Sequence, residues 1–340
     1  ARQYAVATGQ PKRRKILSRD PSYHGATLGA VSVTGDPESE AVFEAVARVM
    51  PKIPAPFSYR LPTGKTVESH ALDCAQALED VILSEGADSV LAFIMEPVGG
   101  LATGGLVAPN SYYKAVRDIC TRHGVLLIFD EVMSGAGRTG AFLSADHWPD
   151  ARPDLVTLAK GVAAGYTPLG VVLAPNAIVE PVVNAGGFLH GHTYSANPLS
   201  CSVAEAVLDE MIAHNLMENA RDVGAYLRAG LQTIADQSRI IGDIRGKGLL
   251  MAVEIVADKT TKAILPAEFR TVYRLLEIGT ENGLLLYSRK TAGGKYGEWV
   301  MVTPPLTLTQ AEADELLTLI ARTIKDFETE LENQGAIAAQ

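Results

Sequence analysis

The sequence predicts an α/β protein, with a doubly wound, mainly parallel sheet over residues 1–238 and a smaller α+β domain over residues 239–340. Three observations carry this expectation. Strand-like apolar runs alternate with amphipathic helix-like stretches through the first two thirds of the chain, the pattern of a parallel sheet with helices on both faces. Near Ile240 the pattern changes to paired strands with glycine turns. Finally, 340 residues, 47% of them apolar, can bury a substantial core.

Taken in order, "ARQYAVATG" reads as the last turns of a helix ending at Gly9, so the chain is expected to begin inside a longer one. Short apolar runs predict strands at 15–18, 89–95, 125–129, 155–158 and 169–173. Between and after them, helical periodicity predicts helices at 41–50, 72–84, 111–123 and 177–184, and a long pair between 201 and 236. "IIGDIRGKGLLMAVEIVAD" then reads as a strand pair. A helix at 267–282, short strands around "LLLYS" and "EWVMVTPPL", and a closing helix at 310–333 complete the second domain. No internal repeat or low-complexity tract is visible.

Charge and composition narrow the function. The formal net charge is −9, and the one basic cluster, Lys12-Arg13-Arg14-Lys15, is a short solvated turn, which argues against a nucleic-acid partner. No apolar run approaches the roughly 18 residues that span a bilayer, and no leader opens the sequence, so no membrane partner is expected. Cys74, Cys120 and Cys201 are odd in number and widely spaced, which fits a reducing compartment and a cytoplasmic location.

Gly135-Ala136-Gly137-Arg138-Thr139-Gly140 spells the spacing of a dinucleotide turn, directly after a strand. Two features oppose that reading. A pyrophosphate needs a helix N-terminus after the last glycine, and "AFLSADHWPDARPD" makes a poor helix. Asp130 and Glu131, placed before the glycines, would repel it. Asp154 lies near the distance of a ribose-binding acid but leads into another strand. A tight loop beside the sheet edge fits better. Gly246-Lys247-Gly248 lacks the gap of a phosphate loop, and His190 with His192 finds no third ligand at a recognisable spacing, so no metal is expected.

Ligands of open α/β sheets bind beyond the carboxyl ends of the strands. Asp130 sits at such an end, and a carboxylate at the edge of a core needs a cationic partner. The next strand-like run leads to Lys160 in "LAKGVAAGY". A plain ion pair and two grips on one ligand suit the spacing equally. Pyridoxal 5'-phosphate uses such residues separately: a lysine amine condenses with its aldehyde, and a carboxylate keeps its ring nitrogen protonated. Lysine suits the task because burial lowers its pKa, letting it move protons as well.

With these residues the chain resembles the class III, ω-type aminotransferases of the fold-type I pyridoxal-phosphate enzymes. The resemblance runs through "SYHGAT", "IMEPVGG", "FDEVMSGAGRTG", "LAKGVAAGYTPLG", "HGHTYSANP", "RGKGLLMAVE" and "VTPPL", from Ala1 to the final helix. It implies that Lys160 bonds the cofactor and that Asp130 partners the pyridine nitrogen. Val132, two residues on along an extended segment, would pack on one ring face, and Tyr23, with His24 beside it, on the other. It further implies that Glu96 orients polar groups near the cofactor. Thr193 would reach the cofactor phosphate of a neighbouring subunit, which implies a homodimer with shared sites. Two departures stand out: Asn197 replaces a histidine common in relatives, and the Gly-Ser loop that cups the phosphate would lie upstream of Ala1.

The resemblance implies amino-group transfer from an amine or ω-amino acid to a keto acid such as pyruvate or 2-oxoglutarate. Arg289 is the expected partner of the substrate carboxylate, with Tyr23 lining the same pocket and Arg138 a second candidate. Decarboxylating and aminomutase relatives share the lysine and the acid, and differ in which bond is held perpendicular to the ring. A nicotinamide-dependent dehydrogenase and a non-catalytic fragment are the alternatives from other classes.

Overall fold

The computed structural model describes residues 1–337, which fall into two compact units. The first comprises 1–97, 108–136 and 142–214, and the second comprises 98–107, 137–141 and the chain from Asn215. Among the described residues no helix is long and apolar enough to cross a membrane.

The first unit contains α1 (Arg2–Ala7), β1 (Lys15–Asp20), α2 (Leu28–Val33), α3 (Pro37–Phe43), β2 (Lys52–Pro54), α4 (Val67–Glu85), β3 (Val90–Met95), α5 (Asn110–His123), β4 (Leu126–Asp130), β5 (Leu155–Leu158), β6 (Val171–Leu173), α6 (Asn176–Asn184) and α7 (Pro198–Ala213). Its sheet has the order β2-β1-β3-β4-β5-β6. The first five strands are parallel and β6 runs antiparallel to β5. The central strands are almost continuously apolar because helices cover both faces, and Leu17, Phe93, Leu127 and Phe129 are fully buried. In register, Met95 lies beside Phe129 and Asp130 beside Thr157. The residues that follow these strands therefore emerge at one edge.

The second unit contains α8 (Leu216–Gln237), β7 (Ile241–Lys247), β8 (Leu250–Ile255), α9 (Thr271–Glu281), β9 (Glu298–Val302) and α10 (Gln310–Asn333). The strands form an antiparallel sheet in the order β7-β8-β9. Leu227 and Leu231 of α8, Leu275 of α9 and Phe327 of α10 pack with Ile244, Met251, Val253 and Val300 of that sheet. α8 thus belongs to the second unit, whereas the expected boundary followed residue 238. The composition change marks the end of this helix, not the start of its packing.

Other expectations shift for local reasons. The helix expected at 41–50 is instead α3, which starts six residues before Phe43 at Pro37 and ends there. Pro37 presets the first helical φ, and Val42, Val46 and Val49 stay exposed with no core to extend the helix. α4 begins earlier than expected because Thr66 and Ser69 cap its first turn reciprocally. The expected helix at 267–282 is broken at Arg270, whose φ is 48°, so that only Thr271–Glu281 is α-helical. "LLLYS" contributes a single bridge, Tyr287 to Met301, rather than a strand.

Candidate active site

Asp130 ends β4 and is buried, and its carboxylate is held by two donors. His24, from the loop after β1, places Nδ1 at 2.7 Å from Oδ2, and the Val132 N–H donates to Oδ1 at 3.1 Å. Facing a carboxylate, Nδ1 carries the hydrogen and donates. The His24 backbone N–H is fixed on Thr34 Oγ1 at 2.9 Å, so the ring is anchored from behind. Its Nε2 is buried with no hydrogen-bond partner. A buried imidazole nitrogen left open in this way is a feature expected beside a ligand.

Lys160 follows β5 and opens a 3-10 turn, Lys160–Ala163. Its φ of 48° is left-handed, a conformation that costs a non-glycine residue about 1 kcal/mol or more and concentrates at functional sites. The residue remains accessible, yet loss of hydration around the ammonium lowers its pKa below the usual lysine value, while the charges of Asp130 and Glu96 push it back up. Asp130 ends β4, which pairs with β5, and Glu96 follows β3, which pairs with β4, so both carboxylates lie at the same end of the sheet as Lys160. Glu96 follows β3 and is buried. Arg19 of β1 donates from Nη2 to the Glu96 carbonyl at 2.6 Å and lies 3.8 Å from its Oε2.

The glycine-rich segment is the tight loop expected. A Cβ on Gly135 would stand 2.5 Å from Leu158 Cδ2 and 2.9 Å from the Glu131 carbonyl, so only glycine lets the chain pass this close to the end of β5. No α-helix follows it; Ser144–His147 and Pro149–Ala151 are 3-10 turns, so a pyrophosphate would find no helix N-terminus here. Glu131, to which the sequence assigned no role, is the buried fastener of this loop. Its carboxylate accepts the backbone N–H groups of Ser144 at 2.6 Å and Ala145 at 2.8 Å, and burial pushes its pKa up to about 7. Arg138 is not a free carboxylate partner. In the second unit its guanidinium donates to the carbonyls of Pro304 and Leu249, and burial lowers its pKa to about 10.

Val132 does not continue an extended segment as expected. β4 ends at Asp130, and the Gly135 N–H returns to the Glu131 carbonyl at 2.8 Å, so Val132 sits half-buried in a turn. Tyr23 is exposed beside His24, its ring open to solvent on the same loop. Thr193 is exposed in the loop after α6, among Phe188, Leu189 and Tyr194, which are 63%, 90% and 80% exposed. Arg289 belongs to the second unit, on the segment between α9 and β9. Asp130, His24, Glu96 and Lys160 are therefore gathered at one sheet edge. An acid for a ring N–H and an amine of weakened basicity for an aldehyde, with an open imidazole nitrogen beside them, fit a flat heteroaromatic aldehyde such as pyridoxal phosphate.

Comparison with known proteins agrees. The family model described as Aminotransferase class-III matches residues 1–324. An uncharacterized aminotransferase of Bacillus subtilis, YodT, is 37% identical over 331 residues, covering 97% of this chain and 74% of that protein. A thermostable (S)-enantioselective omega-transaminase from Thermomicrobium roseum superposes with a TM-score of 0.88 at 38% identity, covering 96% of this chain and 70% of the other. The omega transaminase from Pseudomonas jessenii, solved in complex with PMP, superposes with a TM-score of 0.88 at 31% identity, covering 96% and 71%.

Proposed function

Because this chain belongs to the class III aminotransferases, we propose that Lys160 and Asp130 are the residues that hold its pyridoxal phosphate and carry out its amino-group transfer. The donor is an amine or ω-amino acid, and the acceptor a keto acid such as pyruvate or 2-oxoglutarate. One observation carries the reading: the lysine and the acid reach the same sheet edge from adjacent strands, β5 and β4.

When bound, the cofactor supplies an electron sink for the carbon that loses or gains the amino group. The chain supplies the rest. The Asp130 carboxylate holds a proton on the ring nitrogen, and His24 Nδ1, hydrogen-bonded to it, keeps that carboxylate aimed. Lys160 Nζ takes the proton from the donor's amine-bearing carbon, and its lowered pKa raises the share of neutral amine able to do so. The Asp130 and Glu96 carboxylates limit that lowering, so the amine is tuned between opposing effects. Tyr23 and Val132 would face the ring, and Arg289 is the carboxylate partner proposed from the sequence.

A second copy of the chain completes the proposal. The exposed apolar side chains around Thr193 support a loop that is covered by a neighbouring subunit, with Thr193 reaching that subunit's cofactor phosphate. A cytoplasmic setting fits three cysteines that form no disulfide. The test is spectroscopic and chemical. Added pyridoxal phosphate should give an absorbance band near the visible edge, and alanine or 1-phenylethylamine with pyruvate should yield transfer products. Lys160→Ala should abolish both. Carbon dioxide release, or a band that persists in Lys160→Ala, would overturn the assignment.

A further inference from the structure

Residues 21–27 join β1 to α2 without regular structure, and they carry Tyr23 and His24. An imidazole on such a loop is aimed no better than the backbone beneath it. Here the two ends of the loop are tied. The Ser22 N–H donates to the Gly35 carbonyl at 3.0 Å, and the Gly35 N–H donates to Ser22 Oγ, also at 3.0 Å. Ser22 is fully buried. A Cβ on Gly35 would lie 2.1 Å from the Arg19 carbonyl, so only glycine brings the chain after α2 this near to β1.

Thr34 makes the tie that reaches His24. It caps the C-terminus of α2 and is 1% exposed. The nearer acceptor for its hydroxyl hydrogen is the Ala30 carbonyl at 3.0 Å, which leaves the oxygen lone pairs for the His24 backbone N–H at 2.9 Å. The His24 side chain is 1% exposed, and its Nδ1 reaches Asp130 Oδ2 at 2.7 Å. Direct contacts therefore run without a gap from the end of α2, through His24, to the carboxylate at the end of β4. The other Asp130 oxygen is held separately by the Val132 N–H at 3.1 Å, so this line governs one of the carboxylate's two anchors.

We propose that Thr34 is a positioning residue for amino-group transfer: its hydroxyl oxygen fixes the His24 backbone, so that the imidazole holds the Asp130 carboxylate in the orientation that meets the cofactor's ring nitrogen. The inference rests on the reading of Asp130 as the partner of that nitrogen. It gives a helix-capping threonine a function besides ending α2. A buried N–H that loses its acceptor is left unsatisfied, which favours any shift that restores a partner, and the imidazole moves with its backbone.

The experiment compares Thr34→Val, which keeps the shape of the side chain and removes the acceptor, with Thr34→Ser, which keeps the oxygen. In the cofactor-free chain, NMR of histidine-labelled protein should show a His24 Nδ1–H that exchanges slowly with solvent and is absent from His24→Phe. That hydrogen should exchange several-fold faster in Thr34→Val and as in the wild type in Thr34→Ser. Thr34→Val should also weaken pyridoxal phosphate binding by roughly three- to tenfold, and should add nothing to the loss already caused by His24→Phe. Thr34→Ala removes the same acceptor and gives the same two readouts if Thr34→Val does not fold. A folded variant with wild-type exchange or wild-type affinity would overturn the inference. So would a loss of affinity that persists undiminished in His24→Phe, or a Thr34→Ser variant as impaired as Thr34→Val. A wild type that forms no absorbance band removed by Lys160→Ala overturns the proposed function and this inference with it, whereas a wild type with that band and an affinity indifferent to Thr34→Val overturns the inference alone.

Discussion

Glu131 shows how a single buried residue can fasten a loop through its backbone. Its carboxylate spans the chain back to Ser144 and Ala145, and burial raises its pKa from 4.5 to about 7. Since the folded value lies above the unfolded one, the fold favours the protonated form. The stability this group contributes is present in full below pH about 4.5 and is lost as pH rises through about 7, a change on the order of a few kcal/mol. Urea unfolding from pH 4.5 to 8 should therefore show the wild type losing stability relative to Glu131→Gln as pH rises; parallel curves would show that this carboxyl is not coupled to folding. Asp130 and Lys160 were legible in the sequence because each directly follows an apolar run, where topology alone brings strand ends together. Glu131 was not legible as the fastener of its loop. Its partners are backbone groups 13 and 14 residues away, and nothing in residue type marks such a pairing.

Among the elements, α8 carries a contrast that sequence propensity cannot predict. Gly224 and Gly230 lie in the same helix, and alanine at either would gain about 1 kcal/mol of helix propensity. At Gly224 a Cβ would stand 2.6 Å from the backbone carbonyl of Gly248, in the turn between β7 and β8. At Gly230 it would meet the side-chain tip of Leu317, which can rotate away. Gly224→Ala should therefore lower stability by roughly 1–3 kcal/mol, with Gly230→Ala costing clearly less; equal thermal midpoints for the two variants would show that the turn yields. The long helices and central strands were legible from their periodicity. The short elements were not: β2 spans three residues, α2 six, and their existence depends on partners rather than on a repeating pattern. The boundary of α3 fell where exposed valines found nothing to pack on.

For the whole molecule, the proposed pairing of two copies makes a direct prediction. Leu189, 90% exposed in the loop that carries Thr193, should lie at the contact. Sedimentation velocity should find the wild type as a dimer and Leu189→Asp shifted towards monomer; a wild type that sediments as a monomer at micromolar concentration would refute the pairing. The doubly wound class was legible because alternation of apolar runs with amphipathic helices leaves few other topologies. The membership of α8 was not, because helices facing either unit share one apolar pattern. His24 already grips Asp130 across 106 residues of sequence. Rotational freedom of that acid is surrendered during folding, so a ring held there as proposed would lose little affinity to rearrangement.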